Sequence, residues 1–283
     1  MTKGNFDDIL NPYVAEFLSL TNKGDKLLLF LDQNGDSFES KDTDLSKDYA
    51  QGVFTTFQMR KGQIPLWPFH WSRLTQSAHF YSLKVNPQIE KKILAQLKSA
   101  KVNGPSRVRV TLCLNNLIII EIRKLDHEND IPQKLKTIPR TPSQNPSYLK
   151  QGNYQEAFAQ RAEIQKEGFD DFLFWNSTNR QILESTVSNI IYCYNSKWFT
   201  PHLQAGVLAG STRNALLEQK LIDEKDLLID EIVNCTSMFM INAIKEIVPV
   251  ESIDDHPLFI DQEMRQLCSL HLHDKMWNTA IEL

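Results

Sequence analysis

Four short segments of this chain carry residue types that could do chemistry together. Lys150 lies in Tyr148-Leu149-Lys150-Gln151-Gly152-Asn153-Tyr154, just ahead of a stretch with helical periodicity. An amine attacks a carbonyl only when neutral, so a catalytic lysine needs a dry or electropositive setting that lowers its pKa from about 10.4. Arg73, in His70-Trp71-Ser72-Arg73-Leu74, sits one turn into a helix, where a guanidinium can offer a bidentate fork to phosphate. Glu184, in Leu183-Glu184-Ser185-Thr186-Val187-Ser188-Asn189-Ile190, is a carboxylate leading through small polar residues into an apolar strand. Gly206-Val207-Leu208-Ala209-Gly210-Ser211-Thr212-Arg213 opens a helix with glycine and two hydroxyls, Ser211 and Thr212. Exposed N–H groups and a positive helix end favour an anion there. Taken singly, each has an ordinary reading: one surface charge among 31 basic residues, a solvated helix arginine, a polar turn and a helix cap.

The elements that must position these residues are legible in outline. Lys26 to Gln33 and Val53 to Arg60 read as strands, with Asn34-Gly35 and Lys61-Gly62 as turns. Pro68 to Leu83 and Pro87 to Lys101 have helical spacing, the second with Ile89, Ile93, Leu94 and Leu97 on one stripe. Arg107 to Leu114 and Leu117 to Arg123 form a hairpin across Asn115-Asn116. The polar segment from Asp126 to Pro132 suits a linker, so residues 1–125 are expected as a smaller α/β domain, 126–133 as the linker and 134–283 as a larger domain. In the second part, Gln151 to Glu167 reads as a helix with Tyr154, Phe158 and Ala162 on its buried stripe, ending at Gly168. A strand from Phe172 to Trp175 and a hairpin of Asn189 to Tyr194 with Trp198 to Thr200 follow. Ser211 is then expected to cap a helix reaching about Lys220.

Composition sets the class. The 283 residues are 41% hydrophobic and 23% charged, an ordinary globular balance of mixed α/β character. A net charge of −4 leaves no basic surplus for a phosphate backbone, so nucleic acid is not an expected partner. Apolar runs such as Leu27 to Leu31 and Leu117 to Ile120 fall far short of the roughly 20 residues of a spanning helix. The first residues have no apolar signal core, which makes cytoplasm the expected location. Cys113, Cys193, Cys235 and Cys268 lack metal-ligand spacing, and His271 and His273 read as surface residues, so no metal is expected.

As an ordered set, the segments resemble the class IV aminotransferase family, the fold-type IV enzymes that use pyridoxal 5′-phosphate. Members carry a G-x-F-x-T strand, an H-x-x-R-L helix, then K-x-x-N, G-x-D, E-x-x-x-x-N-I and G-[IV]-L-x-G-x-T-R. The counterparts here are Gly52–Thr56, His70–Leu74, Lys150–Asn153, Gly168–Asp170, Glu184–Ile190 and Gly206–Arg213. The resemblance spans roughly residues 49 to 250 and implies a two-domain, mixed α+β enzyme acting as a homodimer. By it, Lys150 would condense with the cofactor aldehyde and later move the substrate proton. Glu184 would pair with the pyridine nitrogen, Tyr154 with the phenolic oxygen, and Arg73, Ser211 and Thr212 with the phosphate.

Two further segments bear on the reaction that the resemblance implies. Phe54-Thr55-Thr56 has threonine where many family aminotransferases are acidic. Ile241-Asn242-Ala243-Ile244-Lys245-Glu246-Ile247-Val248-Pro249-Val250 looks like the N-[AS]-L-x-x-[VI]-x-P-V loop of the lyase members, which act on 4-amino-4-deoxychorismate. Branched-chain transaminases usually carry T-A-A-E there. In the lyase reading, backbone N–H groups around Asn242 and Ala243 face a substrate carboxylate and Thr55 lies at the substrate. Arg107 and Arg109, on one strand face, meet a second carboxylate. Pyruvate and the folate precursor 4-aminobenzoate would be the products. The alternative is an aminotransferase for branched-chain or D-amino acids and 2-oxo acids, which the Asn153-Tyr154 pair favours. A third reading keeps the fold as a cofactor-free binding module, against which stands the cost of Lys150, Glu184 and Arg73 in a dry pocket.

Overall fold

The computed structural model describes residues 26–38, 52–100, 102, 104–125, 131–141, 143–146, 148–152, 155–278 and 280–283. Asn153, Tyr154 and most of the expected linker, 126–130, lie outside the described residues. The first half contains β1 (Lys26–Leu31), β2 (Ser37–Phe38), β3 (Val53–Met59), β4 (Gln63–Ile64), α1 (Trp67–Phe80), α2 (Ile89–Ser99), β5 (Ser106–Leu112) and β6 (Ile118–Lys124). An antiparallel sheet runs in the order β2-β1-β6-β5-β3, leaving β3 at an edge. Strand alternation turns Val53, Phe57, Val108, Val110, Ile120 and Ile122 to one face. There they pack against Trp67, Leu74 and Ala78 of α1 and Ile89, Ile93 and Leu97 of α2. Phe54, Thr56 and Gln58 point the other way, beside Thr111, Arg109 and Arg107 in register on β5.

The second half contains β7 (Gln133–Arg140), α3 (Gln155–Gln165), β8 (Asp171–Asn176), β9 (Ile182–Ser185), β10 (Asn189–Tyr194), β11 (Lys197–Thr200), α4 (Ser211–Glu218) and β12 (Asp223–Glu224). It continues through β13 (Cys235–Asn242), β14 (Glu246–Ile253), β15 (His256–Pro257), α5 (Gln262–Asn278) and β16 (Ile281–Glu282). A mixed sheet follows the order β12-β11-β10-β13-β14-β7-β8-β9, with β15 beside β14. Its strand β7 is parallel to both neighbours. Leu135, Leu173, Ile190, Tyr192, Met238 and Val250 build one core face, and Ile191, Phe239 and Ile241 pack against α4 and α5 on the other. Finally β16 returns to the first half, pairing Ile281 with Ile64, while the Leu283 N–H donates to the Gly62 carbonyl. Among the described residues no helix is long and apolar enough to cross a membrane.

Mixed α/β structure, the first two helices and both hairpins stand as expected, with ends shifted by a few residues. Four expectations are corrected. Strand β7 was not expected, because Lys134 and Lys136 interrupt its apolar pattern and Pro139 lacks a donor. Pairing with β14 ends at Leu135, so Pro139 needs a partner on one side only. Helix α3 starts at Gln155 rather than Gln151, since Gln151 bridges Val53 and the Gly152 N–H donates to the Gly52 carbonyl, adding this segment to the β3 edge. The stripe on α3 is also different: Phe158 is 48% exposed, and Ile164 is the buried residue among the described side chains of the helix. Ser211 is the first residue of α4, not its cap; Gly210 holds the cap position, and the serine hydroxyl is engaged elsewhere.

Phe57 is fully buried and meets the Trp67 ring edge-on with centroids 5.4 Å apart. Phe57→Ala is expected to lower the unfolding free energy of the apoprotein by about 3–5 kcal/mol, measured as a lowered urea midpoint at unchanged slope.

Candidate active site

Helix α1 carries polar side chains on its buried side. His70, Arg73 and Ser77 follow at three- and four-residue spacing, all nearly closed to solvent, with His70 1% and Arg73 7% exposed. Buried polar groups must be hydrogen-bonded or they cost stability, and the partners come from distant segments. Arg73 donates from Nη1 to the Ala209 carbonyl at 3.0 Å and from Nη2 to Thr55 Oγ1 at 3.2 Å. His70 Nδ1 lies 2.7 Å from the same Thr55 oxygen, and its Nε2 lies 3.2 Å from Ser211 Oγ. Ser77 Oγ lies 2.8 and 2.9 Å from the carbonyls of Arg73 and Tyr148, which share its one hydroxyl proton, so it links the helix to the lysine segment. Thus one helix face gathers the edge strand β3, the start of α4 and the approach to Lys150.

Lys150 is placed by backbone pairing. Its carbonyl accepts the Phe54 N–H at 2.9 Å, continuing the first sheet past β3. The residue as a whole is half-buried, and its Nζ lies 5.0 Å from the centre of the Phe54 ring. The Arg109 guanidinium lies over the same ring at 3.7 Å. Burial lowers the Lys150 pKa to about 7, with the positive charge of Arg73 next in size, Glu184 opposing, and Arg109 and Arg107 adding to the fall. About half of the amine is therefore neutral near pH 7, and more of it above, as nucleophilic attack requires.

Glu184 is fixed on β9. One carboxylate oxygen accepts the Leu208 N–H at 2.9 Å and Asn189 Nδ2 at 3.2 Å; the other accepts Arg140 Nη2 at 3.2 Å. Asn189 also donates to the Leu208 carbonyl at 2.8 Å. A side chain at position 210 would overlap Asn189 Oδ1, so Gly210 is required for this asparagine to reach the carboxylate. On α4, Ser211 is 3% exposed and Thr212 1%, and Thr212 Oγ1 is buried with no hydrogen-bond partner among the described residues. Such an orphan hydroxyl beside a helix start fits an anion supplied from outside the chain.

The expected substrate residues fall in different places. Arg107 and Arg109 are on the Phe54 face of the first sheet, the face that Lys150 Nζ approaches, and Arg109 Nε donates to Thr111 Oγ1 at 3.1 Å. Thr55 is 0% exposed on the opposite face, with its hydroxyl between Arg73 and His70. Asn242 ends β13, paired with Glu246, and Ala243 opens the turn to β14. Asn242 Oδ1 accepts the N–H groups of Ile244 and Lys245 at 2.8 and 2.7 Å, so these two donors are spent within the turn. Its Nδ2 donates to Ser188 Oγ, and Gln58 of β3 bonds the Ile244 carbonyl, which joins this turn to the first sheet. Tyr154 lies outside the described residues. No group of three metal-binding side chains occurs among the described residues.

Sequence reasoning missed His70, Arg140 and Asn189 as members of the site. His70 had a signal, since it lies three residues before Arg73 and shares its helix face. Arg140 ends a strand that was not expected, and Asn189 looked like an ordinary turn residue.

The amino-transferase class IV family model matches residues 52–253. The aminodeoxychorismate lyase of Bacillus subtilis is 25% identical over 258 residues, covering 78% of this chain and 86% of that protein. A probable branched-chain-amino-acid aminotransferase of Thermotoga maritima is 24% identical over 205 residues, covering 68% and 74%. Among solved structures, the PLP-bound form of a hypothetical aminotransferase from Mycobacterium tuberculosis superposes with a TM-score of 0.74 at 17% identity, over 89% of this chain and all of that one. With the family model spanning every segment that meets at Lys150 and Glu184, the chain belongs to the class IV aminotransferase family, whose cofactor is pyridoxal 5′-phosphate.

Proposed function

We propose that this enzyme is a pyridoxal phosphate-dependent 4-amino-4-deoxychorismate lyase with Lys150 as its catalytic residue. The observation that carries the catalytic part is the setting of Lys150: an amine at about pKa 7 against an aromatic ring, inside the fields of Arg73, Glu184 and Arg109. The residues present fit the cofactor. Arg73, Ser211 and the orphan Thr212 hydroxyl would hold its phosphate, with Thr55 bracing the arginine from behind. Glu184 would face its ring nitrogen, oriented by Arg140, Asn189 and the Leu208 N–H. Tyr154 would meet its phenolic oxygen. When bound, pyridoxal phosphate supplies an aldehyde that captures an amine and a ring that takes up electrons.

In this reading Lys150 removes the proton from the ring carbon that bears the amino group. The neighbouring C–O bond breaks, its electron pair leaves with the enolpyruvyl oxygen, and protonation of that fragment gives pyruvate. What stays behind is aromatic 4-aminobenzoate. Two features support the lyase over the aminotransferase. The turn at Asn242 and Ala243 has the lyase-like sequence, and it is tied through Gln58 to the strand beside Lys150. Arg109, with Arg107 next on the same sheet face, lies over the same Phe54 ring as Lys150 Nζ, where a second substrate carboxylate would find a cation. Similarity to both named relatives keeps the aminotransferase as the second reading, in which Lys150 would give back the proton it removed and a 2-oxo acid would be the product. A homodimer, a cytoplasmic location and a place in folate synthesis complete the proposal.

Incubation of the holoenzyme with aminodeoxychorismate should release pyruvate and 4-aminobenzoate in equal amounts with no 2-oxo acid added. Turnover that needs paired amino and oxo acids would instead establish the aminotransferase. Incorporation of pyridoxal phosphate into the apoprotein, followed as borohydride-sensitive yellow colour, should speed up with rising pH and level off just above 7. Arg73→Gln removes the largest charge that depresses Lys150 and should move that inflection upward, whereas Lys150→Ala should abolish the colour. Arg109→Ala should raise KM for aminodeoxychorismate by about tenfold, the loss expected for one charged hydrogen bond, with a smaller change in kcat.

A further inference from the structure

We propose that His70 is a positioning residue that fixes the direction of a hydrogen-bond chain, Arg73 to Thr55 to His70 to Ser211, so that the Ser211 hydroxyl proton is held ready for the cofactor phosphate. The inference goes beyond the reading above and is the same for a lyase or an aminotransferase.

The direction follows from what each group can give. Arginine only donates, so Thr55 Oγ1 accepts from Arg73 Nη2 at 3.2 Å. Thr55 is 0% exposed, and its other side-chain partner among the described residues is His70 Nδ1 at 2.7 Å. The hydroxyl proton of Thr55 therefore goes to Nδ1. Burial, with Arg73 and then Lys150 adding positive charge, drives the His70 pKa well below its ordinary value and keeps the ring neutral. A neutral imidazole has one donor and one acceptor. With Nδ1 accepting, the ring proton is on Nε2 and donates to Ser211 Oγ at 3.2 Å. Ser211 then has its own proton to give.

The reverse direction wastes what this one uses. An Nδ1 proton would donate to Thr55, leaving the buried threonine proton unspent, and Nε2 would consume the proton of Ser211. The serine would then turn lone pairs toward an incoming anion. Beside it, the buried Thr212 Oγ1 at the start of α4, which has no hydrogen-bond partner among the described residues, independently marks the place where that anion belongs.

Long-range proton–nitrogen NMR on apoprotein labelled in its histidines tests the direction directly, with His70→Gln identifying the signal. A bare Nδ1 and a protonated Nε2 are expected at pH 7; a protonated Nδ1, or a charged ring, would overturn the proposal. Binding provides a second readout. Pyridoxamine 5′-phosphate cannot condense with Lys150, so its affinity for apoprotein reports holding alone. His70→Phe and Ser211→Ala should each weaken it by about tenfold, and the double variant by no more than the worse single one. Losses that multiply would show that the two side chains act separately, and the chain would be refuted. Should a variant fail to fold, the tautomer of the native protein still decides.

Discussion

Positive charge crowded into a poorly solvated space is the constraint on which this structure turns. Arg73 is almost closed to solvent, and Lys150 shares an aromatic ring with Arg109. Two cations in such a setting repel one another and are poorly hydrated, and the group that can lose a proton does so. Arginine cannot, because its pKa is too high. The lysine yields instead and gives up its proton more readily. Glu184 opposes this shift, and its own oxygens are occupied by Arg140, Asn189 and a backbone N–H, which limits what it can offer the amine.

Holding those charges in place takes both halves of the molecule. The first sheet supplies an open edge at β3, and residues 150–152 complete it from beyond the end of the first half. Helix α1 lays its polar side against that edge and reaches across to Ala209 and Ser211. The second sheet brings Glu184 and the Asn242 turn. Each contact is modest, but few are local in sequence. An error in one segment would therefore be felt at several side chains of the site.

The residues that meet at the candidate site were more legible than the geometry that brings them together. Lys150, Glu184, Arg73 and the Gly206–Arg213 segment are visible in the sequence because their order and spacing are specific. So are α1, α2 and the first hairpin, whose apolar periodicity is plain. Strand β7 was hidden by its lysines and Pro139, and with it Arg140. Residues 151–152 have helical spacing, yet the unsatisfied edge of β3 takes them as strand, a tertiary demand that local pattern cannot reveal. Thr55 shows the same limit at the site. Its strand was evident, but only the fold shows that its hydroxyl turns toward Arg73 and not toward the Lys150 side.

The return of β16 to β4 has a consequence for how the protein comes to be made. Ile281 must find Ile64 across most of the chain, and closing so long a loop carries a large entropic cost. Pairings of this kind tend to form late in folding. The same turn around Gln63 and Ile64 leads directly into α1, the helix that bears His70 and Arg73. During synthesis, then, the turn that leads into α1 would gain this support only after residues 281–282 have left the ribosome, so His70 and Arg73 would be made long before the strand that steadies their helix.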